Sequence, residues 1–342
     1  MSVHGRGGQH LRIAVDSMGG DRAPSIVVDG ALSALRDTTD DLEVTLVGRE
    51  DEVLAALGRG GGRSSRLRVV DAPEVVAMDE QPSATLRKKR NSSIAVGLRM
   101  QKQGEADGFI SAGNTGAVGA NALFILGRIM GVSRPAIATF APTRAGSCII
   151  LDVGANVENK PEHLLQFGIM GSCYAQVALG REEPRVGLLN VGEERSKGGE
   201  VLKAAYDLLE AADLRFIGNV EGRDIFRGDV DVVVCDGFVG NVILKFTESV
   251  VDMVYAVMRE ELASSMRARL GAAMLKPAFR RLRETFDYAE YGGAPLLGVD
   301  GACMICHGSS SAVAIKNAIL ATRRFIKYDV NSAIRERLRQ YE

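Results

Sequence analysis

The feature that most constrains this chain is a unit repeated along it: a short apolar run of strand type, a polar loop punctuated by glycine, then a run with helical spacing. The clearest copy is Asp107–Gly127, DGFISAGNTGAVGANALFILG. Phe109 and Ile110 read as strand, Ser111-Ala-Gly-Asn-Thr-Gly116 breaks it, and Ala117–Leu126 is spaced like a buried helix. Strand, glycine turn and helix form the building unit of doubly wound α/β proteins, whose ligands sit at such turns. Backbone N–H groups at a helix N-terminus, together with the helix dipole, favour an anion there. Gly113 and Gly116 let the backbone approach a ligand closely, while Ser111, Asn114 and Thr115 add side-chain donors. Taken alone, the segment is equally an ordinary β–α turn whose glycines serve local geometry.

The unit recurs at irregular intervals, so the chain is not a repeat solenoid. Leu11–Val15 runs into Asp16-Ser-Met-Gly-Gly-Asp21, with Gly19 and Gly20 at its centre. Cys148–Leu151 runs into Asp152-Val-Gly-Ala-Asn156, and Arg185–Leu189 into Asn190 and the stretch ending Ser196-Lys-Gly-Gly199. Asp231–Cys235 leads to Asp236-Gly-Phe-Val-Gly240-Asn241, and Met304–Cys306 to His307-Gly-Ser309-Ser310-Ser311. The alternation predicts a largely parallel, doubly wound sheet with these six loops on one edge. None of the loops spells G-x-G-x-x-G after a strand, the P-loop, a G-x-S-x-G elbow or H-E-x-x-H. What remains is a set of N–H, hydroxyl and amide donors with few fixed charges, which suits a phosphate and a developing oxyanion.

Composition removes several other classes. The 342 residues carry a net charge of −1, which argues against a design built on binding nucleic acid. No apolar run reaches the ~20 residues of a membrane-spanning helix. Residues 1–10 lack a signal-peptide core and read as a disordered polar tail, so the expected compartment is the cytoplasm. Five cysteines, an odd number, fit reduced thiols. Cys303-Met-Ile-Cys306-His307 spells a haem-attachment site, but it reads as a buried strand and carries no second cysteine pair for zinc. No metal and no cofactor is expected.

The succession of loops at Asp16–Asp21, Ser111–Gly116, Leu151–Asn156, Gly187–Gly192, Asp236–Asn241 and His307–Ser310 resembles the bacterial PlsX family, the acyl-[acyl-carrier-protein]:phosphate acyltransferases. The likeness covers Leu11 to the last helix in the family's order. The tail, the glycine–arginine loop at 58–66 and the Cys303/Cys306 pair depart from it. The resemblance implies an α/β/α fold like that of isocitrate/isopropylmalate dehydrogenase, shared with phosphotransacetylase, over a single catalytic domain at 11–332. It also implies a homodimer that turns acyl-[acyl-carrier-protein] and inorganic phosphate into acyl phosphate for phospholipid synthesis, an intermediate consumed by a membrane acyltransferase downstream.

Such a reaction asks little of a protein base, because phosphate is already a nucleophile near neutral pH and a thioester is an activated donor. The family pattern implies functional roles for Lys197, a charge for phosphate or oxyanion, and Asn241, a donor to the acyl carbonyl. Asn241 also reads as a helix N-cap. His307 is a third candidate, with a purely structural role as the alternative. Cys235, in Val232-Val-Val-Cys235, reads as a buried and inert thiol rather than an acyl acceptor. Asp16, Gly19, Gly20, Ser111, Gly113, Asn114, Thr115, Gly116, Asn156, Asn190, Gly240, Ser309 and Ser310 are the candidate phosphate- and substrate-binding positions. A dehydrogenase on the same fold and a non-catalytic membrane scaffold are the competing readings.

Residues 242–290 depart from the β–α rhythm. Val242–Leu270 and a helix from 278 to about 288 predict a projecting hairpin, with Gly271 to Pro277 at its tip. Two such hairpins would pair in a dimer. Between Ser264 and Arg283 lie Arg267, Arg269, Lys276, Arg280, Arg281 and Arg283 with no acidic residue, around Met274 and Leu275. That pattern predicts peripheral contact with the inner face of the cell membrane. The cations of the hairpin, or Arg87-Lys-Lys-Arg90, would meet an acidic carrier.

Overall fold

A computed structural model describes residues 10–38, 41–60, 64–286 and 292–341. Residues 1–9 of the predicted tail and the Gly61–Arg63 part of the glycine–arginine loop lie outside the described residues, as does the end of the hairpin at 287–291. The first half contains β1 (Leu11–Asp16), α1 (Ser25–Arg36), β2 (Leu42–Gly48), α2 (Glu50–Arg59) and β3 (Leu67–Asp71). It continues through α3 (Pro82–Lys88), α4 (Ser93–Lys102), β4 (Gly108–Ser111) and α5 (Thr115–Ile125). β5 (Ala136–Thr143) and β6 (Gly146–Leu151) lead to α6 (Pro161–Ala178), β7 (Arg185–Leu189), α7 (Glu200–Ala211), β8 (Arg215–Val220) and β9 (Val232–Val234). The hairpin α8 (Gly237–Ala263) and α9 (Met266–Phe286) follows. β10 (Ala294–Leu297), β11 (Ala302–Ile305), α10 (Ala312–Lys327) and α11 (Val330–Leu338) close the fold.

The expected units are present, and helices cover both faces of the sheet. α1, α2 and α10 bury Val28, Leu35, Val53 and Ile319 against one face of β1 and β2. α4 and α5 bury Leu98 and Val118 against the other, together with Phe109 of β4. Phe167, Met170 and Leu209 of α6 and α7 cover the far half with Leu151, Leu188 and Val234. Burial of this size, at about 25 cal/mol per Å² of apolar surface, is what holds the layers together.

The sheet differs from the expected one in direction. Its eleven strands run in the order β3-β2-β1-β4-β11-β10-β5-β6-β9-β7-β8. β10 is antiparallel to both β11 and β5, and β5 is antiparallel to β6. The block β3-β2-β1-β4-β11 is therefore parallel within itself, and the block β6-β9-β7-β8 runs the opposite way. The six loops do not share one edge. Two carboxyl-terminal edges face each other instead. Ile305 lies opposite Ala294, and Leu296 opposite Ile137, so the same register brings Ile305 level with Thr139. Leu151 lies opposite Ala138, one residue away. The last residues of β11 and β6 thus meet at one height, and the loops beyond them bound a common cleft.

The hairpin is present, but its turn lies elsewhere than predicted. The break falls at Ser264–Ser265, and Gly271 and Pro277 both sit inside α9. Ser265 Oγ accepts the Ala268 N–H at 3.1 Å, the geometry of an N-cap, and Ser264 Oγ donates to the Glu261 carbonyl. A capped serine pair therefore stops the helix, while Gly271 and Pro277 are carried within α9. Met274 and Leu275 are consequently not at a tip but about two turns into α9, exposed by 77% and 53%. Beyond Gly240, α8 contains no fully buried residue, and Ile243 and Leu244 in its first turns are half-buried against the sheet core.

Candidate active site

At the junction of the two blocks lies a cleft of about 850 Å³. One wall is the N-terminal turn of α5, with Thr115 and Gly116, and the His307 loop stands beside it. The opposite wall is the loop after β6, with Val153 to Asn156, and Asn241 of α8. Arg128, Arg134 and Lys245 bring positive charge to the cleft. Arg128 is tied by its guanidinium to the Ser133 carbonyl at 2.6 Å, and Lys245 pairs with Glu248 at 3.5 Å.

Each wall rests on a buried carboxylate. Asp152 accepts the backbone N–H groups of Ile137, Gly154, Ala155 and Asn156 and the Asn156 amide, at 2.7 to 3.2 Å. Burial pushes its carboxyl up, while those five donors favour the ionised form. The Asn156 amide also donates to the Pro135 carbonyl at 2.7 Å, so this asparagine is fixed as part of the wall. α8 begins directly above. Asp236 caps it through the Val239 N–H, so Asn241 is not the N-cap. Asn241 is exposed within the cleft and its amide makes no hydrogen bond among the described residues. Gly240 packs so tightly that a Cβ would lie 1.9 Å from the Asp152 carbonyl oxygen.

On the other side, Asp16 accepts the Ser111 hydroxyl at 2.6 Å and the Met18 N–H at 3.0 Å. Burial pushes the Asp16 carboxyl above its ordinary value of 3.8, against hydrogen bonds from Ser111, Ser93 and the backbone. Gly19 and Gly113 meet over it, and the Asp21 N–H donates to the Gly308 carbonyl at 2.8 Å, linking this loop to that of His307. Gly20, with φ 102°, packs beside Gly308. Asp16, Gly19, Gly20, Ser111 and Gly113 therefore form a closed foundation beneath the cleft wall rather than its lining. Asn114 Nδ2 is spent on the carbonyls of Ala77, Met78 and Glu80, and its Oδ1 caps α5 through the Ala117 N–H. Its expected role as a donor to a ligand gives way to that of a clamp.

His307 Nδ1 accepts the Ser309 N–H at 3.2 Å and lies 2.8 Å from Ser309 Oγ, which orients the ring at the cleft. Ser310 is buried and its N–H closes the same turn on the His307 carbonyl. Lys197 lies on the loop after β7, the strand beside β9. Its stem folds over Gly192 and its ammonium is 4.0 Å from Glu194, so in this conformation it does not line the cleft. The Asn190 amide donates to the Lys197 carbonyl at 3.1 Å and holds that loop closed. All five cysteines are reduced and buried; burial raises Cys235 well above its ordinary range and Cys303 and Cys306 to about 12. None is poised as a thiolate nucleophile.

A family model described as fatty acid synthesis protein matches residues 11–333. The chain belongs to this family, the PlsX phosphate acyltransferases. It is 52% identical over 329 residues to a phosphate acyltransferase of Heliobacterium modesticaldum, covering 96% of this chain and 98% of that one. It is 49% identical over 332 residues to that of Pelotomaculum thermopropionicum, covering 97% and 96%. A phosphotransacetylase from Streptococcus pyogenes shares the fold with a TM-score of 0.63 at 19% identity, over 93% of this chain and 95% of that chain. A member of the phosphate acyltransferases is a transferase, and its chemistry is acyl transfer involving phosphate. The expectation drawn from the loop succession is met at the level of family, fold and enzyme class.

The sequence reading passed over the cleft cations. Lys245 lies four residues after Asn241 and Glu248 lies seven after it, which places all three on one face of α8, a spacing visible in the sequence. Arg128 and Arg134 sit on the connection between α5 and β5 and carry no motif.

Proposed function

We propose that the cleft transfers an acyl group from acyl-[acyl-carrier-protein] to inorganic phosphate. The observation that carries this reading is a single cleft, lined by three cations, in which the α5 N-terminus faces an unpartnered Asn241 amide. Phosphate sits at the Thr115–Gly116 end, where N–H groups and positive charge favour an anion. Asn241 donates to the thioester carbonyl and to the oxyanion that forms from it. A phosphate oxygen forms the new C–O bond, the C–S bond breaks, and the proton of hydrogen phosphate passes to the departing thiolate. His307 donates to the phosphate or the carbonyl. Lys197 swings from its exposed, solvent-screened pairing with Glu194 to neutralise the phosphate. Incubation with acyl-carrier thioester and labelled phosphate should yield labelled acyl phosphate and free carrier thiol in equal amounts. Thiol release that is independent of phosphate would defeat the reading.

In the same reading the enzyme is a cytoplasmic homodimer that touches the membrane surface and serves phospholipid synthesis. Among the described residues no helix is long and apolar enough to cross a membrane. Two exposed apolar stripes support the two contacts. On α8, Val242, Phe246, Met253 and Val257 suit a second copy. On α9, Met266, Leu270 and Met274 recur every four residues, with Leu275 beside them and Arg267, Arg269 and Lys276 among them. The side chains of Arg280, Arg281 and Arg283 lie outside the described residues. Met274→Glu with Leu275→Glu should abolish sedimentation with anionic vesicles while the dimer persists. Conversion to monomers would instead assign the α9 stripe to the dimer.

A further inference from the structure

A second and larger cavity, of about 1140 Å³, runs between α8, α9 and β5. It opens into the cleft: Thr139, Phe140, Leu244, Glu248 and His307 line both. Along α8 its lining residues Leu244, Val251, Tyr255, Met258 and Leu262 follow one another at three-, four- or seven-residue steps, one continuous helix face. That face is distinct from the outward stripe of Val242, Phe246, Met253 and Val257. From Leu244 to Leu262 the groove is about 27 Å long at 1.5 Å per residue. With carbon–carbon bonds of about 1.5 Å, an extended chain of about 16 carbons is about 20 Å long. Its charged residues are Glu248, shared with the cleft, Asp252 and Lys276 along its length, and Arg259 and Arg269 near the hairpin turn.

We infer that this groove is the acyl-chain channel of the reaction cleft, and that its depth along α8 sets the accepted chain length. The inference rests on the proposed acyl transfer and adds a subsite to it. The occupant is a single unbranched hydrocarbon chain whose carbonyl end lies between Asn241 and His307. A groove continuous with the reaction centre, apolar along one face of α8 and longer than the extended chain, matches such a chain in length and in the character of that face. Each methylene removed from water there strengthens binding about fourfold.

Plugging the groove at different depths tests this. The kcat/KM ratio of palmitoyl to hexanoyl carrier thioester should fall at least tenfold in Val251→Trp, about 10 Å from Leu244 along the helix axis. It should fall less in Met258→Trp and least in Leu262→Trp. Fluorescence of cis-parinaric acid bound to the wild-type protein should be lost in the same order. If Val251→Trp fails to fold, the two deeper variants still report the gradient. An unchanged chain-length ratio in all three overturns the inference. So does a plug that converts dimer to monomer without altering that ratio, because the groove would then be a contact between copies. Absence of acyl phosphate from the wild type with either thioester would fail the functional reading instead. In that case displacement of parinaric acid by Val251→Trp alone decides whether the groove holds an acyl chain.

Discussion

The two carboxylates beneath the cleft, Asp16 and Asp152, hold corresponding places in opposed halves of the sheet, yet they are built differently. Asp152 collects five N–H donors and fixes the backbone from Gly154 to Asn156 directly at the cleft. Asp16 holds two hydroxyls, of Ser111 and Ser93, and the backbone N–H groups of Met18 and Gly19, and the wall it supports stands one layer away, through Ser111 and Gly113. The first arrangement leaves no slack, since every donor is part of the wall. The second can adjust, because a hydroxyl rotates. The difference teaches that glycine loops of similar spelling divide into lining and foundation, according to how many backbone groups their carboxylate holds.

The sharpest way to break the Asp152 side is Gly240→Ala. The new Cβ would sit 1.9 Å from the Asp152 carbonyl oxygen, a backbone atom that cannot turn aside. We expect a loss of about 3 kcal/mol or more, the upper range for overpacking. Denaturant unfolding should show it, with activity lost in parallel. Gly19→Ala is the matching change on the Asp16 side, with a Cβ 2.6 Å from Asp16 Oδ2 and from the Gly113 nitrogen. It should cost less, because one of those contacts is a side chain. Equal losses would erase the distinction between a rigid and an adjustable node.

Asn241→Ala separates lining from support. The side chain is exposed and holds nothing in place, so unfolding should be unaltered while turnover falls by about 10²-fold or more, the effect of removing one oxyanion donor. Lys197→Ala belongs beside it. If the ammonium reaches phosphate, the loss should appear in the dependence on phosphate concentration and leave the midpoint of unfolding unmoved. Near wild-type turnover in both variants would defeat the roles proposed for them.

Much of the fold was legible because the β–α units announce themselves locally. Strand, glycine loop and helix N-terminus lie within about twenty residues at Asp107–Gly127, and the structure places β4 and α5 there. The strands that reverse the sheet were not legible in the same way. β5 follows no glycine unit, and β10 is four residues long and bounded by Gly293 and Gly298. β5 turns directly into β6 and β10 into β11, but the two blocks are joined by the pairing of β5 with β10, Ile137 opposite Leu296, more than a hundred residues apart, which no local pattern encodes. The same limit applies to the site. Asn241 and His307 were visible at strand-end loops, whereas Arg128 and Arg134 become cleft residues only once β5 is placed between the blocks. The hairpin turn was misread for a different reason. Glycine and proline are stronger local punctuation than Ser264–Ser265, but the capping bond at Ser265 decides the boundary.

The smallest expected effect lies on the adjustable side, and its pH dependence carries the information. Burial raises the Asp16 carboxyl above its ordinary value of 3.8. A raised acid pKa means that the folded state holds this proton more tightly than the unfolded chain does. The stabilisation linked to it is therefore present below the unfolded value, near 4, and is lost as pH rises through the folded value. Asp16→Asn removes this titration and keeps an oxygen that can accept from Ser111 or Met18. We expect it to cost about 1–2 kcal/mol at acid pH, the scale of a buried hydrogen bond. The cost should shrink towards neutral pH, where the wild type must carry a buried charge. Unfolding midpoints of both proteins from pH 4 to 8 would show the two curves converging. Curves that diverge as pH rises would mean that Asp16 is ionised and held by its donors, as a tightly bound carboxylate would be. The foundation would then be as rigid as the wall built on Asp152.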